Sequence, residues 1–412
     1  MKTYTIYSKN KKTVLALGPE SDGNFSVYLP LQYFSPLAKG KTQRGSKKSG
    51  RIYFSDSFGD LLEEKNFAKF KKEVLDFLKK NKLRPDVILT DLHPLYRTTG
   101  LGKELAKKFK AKHIKIQHHL AHIFSAIGDK MITAKSYKLK AAISIACDGT
   151  GYGSDGNIWG GEIFQLEAEN HKLKANRIGH LENQILIGGD LAIREPARML
   201  IGILDKFLDK KEIHARVKKY YSKNEFELLY NQLRQNFNCQ ETSSTGRILD
   251  AASVLLGFCK NKRNYKHEPI DLLEKNSNKP YSLKPVIENN ILMTTPLFEY
   301  LIKNLSKDKK RLAATAQMYL AEGLHGIIKQ CHPELASPVR PTARDSGSNK
   351  KKIPDQVRND NPEIFFAGGI ANNKIISDYL ESRGVYTNKK VPRGDAGLSF
   401  GQIVYYLTNP RN

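Results

Sequence analysis

No two cysteines in this 412-residue chain are spaced as C-x-x-C. The four present, Cys147, Cys239, Cys259 and Cys331, are scattered, which excludes a zinc-finger framework and a thioredoxin-type redox site. Free thiols in a reducing compartment are the expectation. No apolar run approaches bilayer-spanning length, so no membrane segment is expected. The opening "MKTYTIYSKNKKTVLALG" has lysines on both sides of a short apolar run, unlike a secretory signal, and points to the cytoplasm. Neither a Walker lysine motif nor GxGxxG is present, so P-loop and Rossmann sites lose support. Acidic residues are in deficit, 42 against 68 Lys+Arg, for a net charge of +26. That excess invites a nucleic-acid reading. Lysine is however spread along the whole chain beside Asn, Ile and Tyr, as an A/T-rich coding bias produces, and nucleic acid takes the smaller share.

What is present is an alternation of strand and helix patterns, over a length that suits two lobes around a cleft. "TVLALG" (13–18) and "FSVYL" (25–29) read as a hairpin. Residues 38–51 are basic, Gly/Ser-rich and aperiodic, an exposed loop. "NFAKFKKEVLDFLKKN" (66–81) has Phe67, Phe70, Val74, Phe77 and Leu78 at helical spacing. A buried strand follows in 84–94, then a helix over 100–112. "HHLAHIFSAIGDK" reads as a helix stopping near Gly128. "LKAAISIACDGTGYGSDGNIWGGEIFQL" (139–166) reads as strand, glycine turn and strand. Residues 246–260 and 311–331 read as strong helices. Residues 334–362 lack periodicity and resemble a translated repetitive element, a tolerated insertion. "EIFFAGGIANN" (363–373) resumes as strand, glycine turn and helix start. This succession predicts an α/β architecture in two lobes.

Three glycine turns carry chemistry. In "DGTGYG" (148–153) a strand delivers Asp148 to a turn where backbone N–H groups can approach an anion. "GGD" (188–190) and "AGGIANN" (367–373) offer two more such places. Each alone is more often a tight turn; three together favour a phosphate-bearing ligand. In "QHHLAH" (117–122), His118 and His122 lie four apart on one helical face, the geometry by which two imidazoles bind one metal. His119 points about a quarter turn away. A polar helix start with partly exposed histidines explains the spacing equally well. Asp395, in "GDAGLSFGQ" (394–402), is either the N-cap of a C-terminal helix or an inward ligand.

The segments "DLHPLYRTTG", "QHHLAHIFSAI", "ACDGTGYGSDGNIWGGEIF", "GGDLAIREPARML", "SSTGRILDAASVLLG", "AGGIANN" and "VPRGDAGLSFGQ", in this order, closely resemble the C-terminal Kae1-like carbamoyltransferase domain of the HypF hydrogenase-maturation family. The resemblance runs from about residue 13 to the end. It implies the two-lobed actin, sugar-kinase and heat-shock-ATPase fold, with an inter-lobe cleft. The lobes would be 1–138 and 139–395, and 396–412 a C-terminal helix returning to the first lobe. It implies metal ligands His118, His122, Asp148 and Asp395, suited to Fe(II) and, less favoured, Zn(II). ATP or carbamoyl-adenylate would meet Thr150, Gly151, Tyr152, Gly153, Gly189, Asp190, Asp250, Gly368, Gly369 and Asn373. Arg194 or Arg198 would add a donor fork toward the mixed anhydride, or else pair with Glu195.

The implied reaction moves a carbamoyl group from carbamoyl-adenylate to a C-terminal cysteine thiol of a HypE-like partner. The product thiocarbamate leads toward the cyanide ligands of nickel–iron hydrogenase. Family members also carry acylphosphatase-like, zinc-finger and YrdC-like domains. None is legible here, so a separate YrdC-like chain is expected to supply the adenylate. Two segments depart from the family pattern. The first-lobe turn reads "SDGNF" where Lys-Asn is usual, and "YKHEPIDLLE" (265–274) stands for a "YEGQAA"-like stretch. The competing expectations are a tRNA threonylcarbamoyl-type transferase subunit, motivated by the charge, and an inactive fragment or scaffold, motivated by the departures.

Overall fold

The structure, a computed structural model, describes residues 1–30, 49–134, 141–169, 172–333 and 362–409. Six strands form the first sheet: β1 (Lys2–Tyr7), β2 (Val14–Ala16), β3 (Ser26–Pro30), β4 (Ser49–Phe54), β5 (Val87–Asp91) and β6 (Lys112–Ile116). Their order is β1-β4-β3-β2-β5-β6, antiparallel as far as β2 and parallel from there to β6. Every residue of β5, "VILTD", is buried, as befits an interior parallel strand covered on both faces. The helix Glu64–Lys80 lays Phe70, Val74 and Leu78 on this sheet.

The second sheet holds β7 (Ala141–Tyr152), β8 (Ile158–Glu169), β9 (Lys172–Leu181), β10 (Gln184–Ile187), β11 (Cys239–Thr242), β12 (Val286–Glu288), β13 (Ile291–Met293) and β14 (Glu363–Ala367). Here β8 pairs with β7, β9 and β11, and β14 lies parallel to β7. The helices Pro196–Leu204, Thr245–Leu256 and Lys309–Cys331 bury their apolar faces in one large core with this sheet.

Two helices join the halves. His118–Thr133 and Leu398–Thr408 lie in a core that contains Val14, Tyr28 and Val87 of the first sheet and Ala142, Phe164 and Phe365 of the second. They approach at glycines. A Cβ on Gly401 would sit 1.8 Å from the Ala121 carbonyl oxygen, and one on Gly128 would sit 2.5 Å from Val404 Cγ2.

Several local expectations change. Gly128 does not stop its helix, which continues to Thr133; its missing Cβ instead makes room for the partner helix. The Thr245 helix ends at Leu256, where Gly257 adopts a left-handed cap with φ 81°. Lys110 caps the preceding helix, Arg97–Phe109, in the same way. Residues 149–152 belong to strand β7, with a register shift between Cys147 and Gly151; the chain reverses at 153–157 instead. Residues 49–51, assigned to the basic loop, open strand β4. The rest of that loop, 38–48, and residues 334–361 of the second insertion lie outside the described residues.

Candidate functional site

The helical spacing of His118 and His122 puts both rings on one face, and the fold turns that face inward. His118, His122, Asp148 and Asp395 are buried, and one ligand atom of each lies within 4.8 Å of the others. The two Nε2 atoms are 3.0 Å apart, and Asp148 Oδ2 is 3.0 and 3.2 Å from them. Asp395 Oδ1 is 3.4 Å from both. Atoms that bind one transition-metal ion at 2.0–2.2 Å sit about 3.0–3.5 Å from their neighbours, so these donors are spaced for one small cation. Asp395 Oδ1 is buried without a hydrogen-bond partner, an orphaned acceptor aimed at the same point. Both imidazole and carboxylate are present, which suits iron or zinc chemistry.

Each donor is held from behind. The Gln117 side chain caps the helix by accepting from the Leu120 N–H, which fixes its first turn. The Asp91 carboxylate, at the end of β5, accepts from His118 Nδ1 at 2.7 Å, leaving Nε2 for the cluster. A carboxylate behind a histidine fixes its tautomer and raises its basicity as a ligand. The Gly369 N–H meets Asp148 Oδ1 at 3.3 Å. Asp395 sits in the short turn Gly394–Gly397; it does not cap the last helix, whose N-cap is Gly397.

Charge is concentrated here. Burial alone would lower the His118 and His122 pKa values, but Asp91, Asp148 and Asp395 outweigh it and hold His118 well above the usual range. Burial would likewise raise the two aspartates. Hydrogen bonds from both histidines keep Asp148 well below the ordinary range, and Lys266 with the same histidines does so for Asp395. His119 is fully buried rather than partly exposed. Burial, then the charge of His118, holds its pKa well below the usual value. Its Nδ1 meets the Gln117 amide at 2.9 Å.

Gly151 packs against these rings: a Cβ there would lie 2.4 Å from His119 Cε1. Gly368, with φ 101°, would put a Cβ 2.1 Å from the Cys147 carbonyl oxygen. Both glycines thus serve close packing around the cluster. Thr150 is half-buried, and the half-buried Tyr152 ring lies edge-on to His93 at 5.2 Å. Gly153 closes the reversal through Asn157. Gly189 caps the short helix Asp190–Arg194, and exposed Asp190 is close enough to His93 to affect its charge. Asn373 is engaged internally, with Oδ1 capping a helix and Nδ2 on Gln317.

Arg198 pairs with Glu195 at 2.7 Å, and Arg194 is exposed; neither bonds to any of the four cluster residues. Asp250 is buried and gives Oδ2 to Arg247 at 3.0 Å and to Arg263. Sequence reasoning missed Asp91, although it stands in the quoted "DLHP". It also missed Lys266 and Ser21, whose contacts cross more than a hundred residues of chain.

The two lobes around a buried His/Asp cluster define the class: an α/β protein of the actin, sugar-kinase and heat-shock-ATPase fold. Within that class the chain belongs to the Kae1-like carbamoyltransferase domain family of HypF. The family model "HypF Kae1-like domain" matches residues 34–129, and "Carbamoyltransferase, Kae1-like Domain, second subdomain" matches 144–339. A probable carbamoyltransferase HypF of Methanocaldococcus jannaschii is 37% identical over 97% of this chain and 47% of its own length. Carbamoyltransferase HypF of Rhodobacter capsulatus is 24% identical over 87% of this chain and 44% of its own. The crystal structure of T.kodakarensis HypF superposes with a TM-score of 0.77 at 27% identity, over 98% of this chain and 49% of that one. A full-length HypF in phosphate- and nucleotide-bound form shares the fold, with a TM-score of 0.77 at 22% identity, over 98% of this chain and 57% of that one. The chain spans about half the length of the curated relatives it matches. Among the described residues, no helix is long and apolar enough to cross a membrane.

Proposed function

We propose that this chain transfers a carbamoyl group from carbamoyl-adenylate to the C-terminal cysteine thiol of a HypE-like partner in nickel–iron hydrogenase maturation. The carrying observation is the convergence of His118, His122, Asp148 and Asp395 from three separate segments on one point. These four residues would hold a divalent ion, iron(II) in preference to zinc(II), and Asp91 would keep His118 in the ligating tautomer. The bound ion supplies Lewis acidity toward the carbamoyl carbonyl.

The adenylate lies along Thr150–Gly153, Gly189–Asp190 and Gly368–Gly369, where glycine lets a ligand approach the backbone closely. His93 stays neutral, since burial lowers its pKa, and its Nδ1 accepts from the Leu95 N–H at 3.3 Å. The other ring nitrogen then carries the proton, and His93 is a donor in this arrangement. A separate YrdC-like synthase supplies the carbamoyl-adenylate.

The test supplies the protein with iron(II), carbamoyl-adenylate and a peptide ending in cysteine. Mass spectrometry is expected to show one carbamoyl group on the peptide thiol. Absence of that adduct, with metal and nucleotide both proven bound by calorimetry, would sink the reading.

A further inference from the structure

We propose that Lys266 is the cation that grips the phosphate of the bound nucleotide, set in place by Asp250 through Arg263. This deepens the adenylate reading above and rests on it. The segment "NKRNYKHE" (261–268) is polar and follows a helix end, the kind of sequence that forms a loose surface loop. Lys266 does not dangle from it. Its Nζ donates to Asp395 Oδ2 at 2.8 Å and to Ser21 Oγ at 2.8 Å. Ser21 in turn donates to the same Asp395 oxygen. A lysine of the second lobe thereby reaches a turn of the first lobe and a member of the four-donor cluster.

The loop is positioned by charge. Arg263 Nη1 donates to the Lys266 carbonyl oxygen at 2.8 Å, and Arg263 Nη2 meets Asp250 Oδ2. Asp250 is buried in the helix Thr245–Leu256 and also holds Arg247. Asp250 therefore fixes the backbone from which Lys266 extends. The contacts of Nζ with Asp395 and Ser21 hold the stem itself, so less rotamer freedom is lost on binding.

Position and charge together indicate a phosphate. Lys266 is half-exposed, 47% at its side chain, so a ligand can reach it. Its two contacts use two of three ammonium donors. Asp22 and Asp148 add to the negative field around it. A divalent ion in the cluster would offset Asp148 and Asp395 and so weaken their hold on Lys266. Lys266 and the cluster share Asp395, so an anion bound at the lysine lies beside the metal site. A compact ammonium is a point-charge binder of phosphate.

The experiment compares AMP with adenosine by calorimetry, on metal-loaded and metal-free protein, for wild type, Lys266→Met and Lys266→Arg. Wild type is expected to favour AMP. Lys266→Met should lose about ten- to a hundredfold of that preference, as removal of a charge-assisted hydrogen bond does. With the metal held at saturation, adenosine affinity should stay unchanged, and Lys266→Arg should retain most of the preference. If Lys266→Met keeps the full preference for AMP, the role assigned to Lys266 is wrong while the adenylate reading stands. Metal loss in Lys266→Met with the preference intact would make it a structural partner of Asp395 and overturn the proposal. Failure of wild type to bind either compound would overturn the adenylate reading and this inference with it.

Discussion

At the residue scale, the cluster depends on groups that never touch the ligand. Asp91→Asn should lower metal affinity about 10- to 100-fold, the usual cost of losing a carboxylate behind a ligating histidine. Competition with a chromophoric chelator measures it. His325, in the helix Lys309–Cys331, sets an acid limit. Burial, with Lys329 and Arg383 nearby, lowers its pKa from 6.5 to about 4. The folded protein therefore keeps His325 neutral, while the unfolded chain protonates it near 6.5. Its share of stability is fully present above pH 6.5 and is lost as pH falls toward 4. His325→Gln should flatten the decline in urea stability across that window. Cys147 is a third case: burial pushes its thiol up to about 12. It should resist iodoacetamide at pH 8 in the folded protein and react once urea unfolds the chain.

At the element scale, the contact between the helices His118–Thr133 and Leu398–Thr408 holds the site together. One helix carries both histidines, and Asp395 stands just before the other. Gly401→Ala forces a methyl group against the Ala121 carbonyl and should cost about 3 kcal/mol, despite alanine's better helix propensity. Gly100→Ala is the control. It lies on the exposed side of the helix Arg97–Phe109 with nothing within 4 Å, and should stabilise by about 0.5–1 kcal/mol. Urea titration with an unchanged m-value distinguishes the two.

At the scale of the whole molecule, the putting-together of cluster and lobes makes metal a stabiliser. The donors come from a helix shared by both lobes, from a strand of the second sheet and from the return turn. Metal at a hundred times its dissociation constant should add about 2.7 kcal/mol and raise the unfolding midpoint. Chelation should reverse the shift in a calorimetric scan. The charge of +26 belongs to this scale too. If it served tRNA binding, affinity would fall steeply with salt; filter binding across a salt series checks this, and no tight, salt-dependent binding is expected.

Much of this protein was legible in its sequence because the relevant signals are local. Helical periodicity places His118 and His122 on one face, a buried apolar run makes β5, and glycine-bearing motifs in order mark the family. The architecture and the family follow from such short-range patterns. Contacts between distant segments were decided by tertiary structure alone. Asp91 meets His118 across 27 residues, Lys266 meets Asp395 across 129, and Ser21 meets Asp395 across 374. No spacing rule links such positions, because their approach depends on how two sheets close around a helix pair. The same closure explains why Gly151 and Gly368 also pack closely around the cluster, why His119 is buried, and why Asp250 holds arginines.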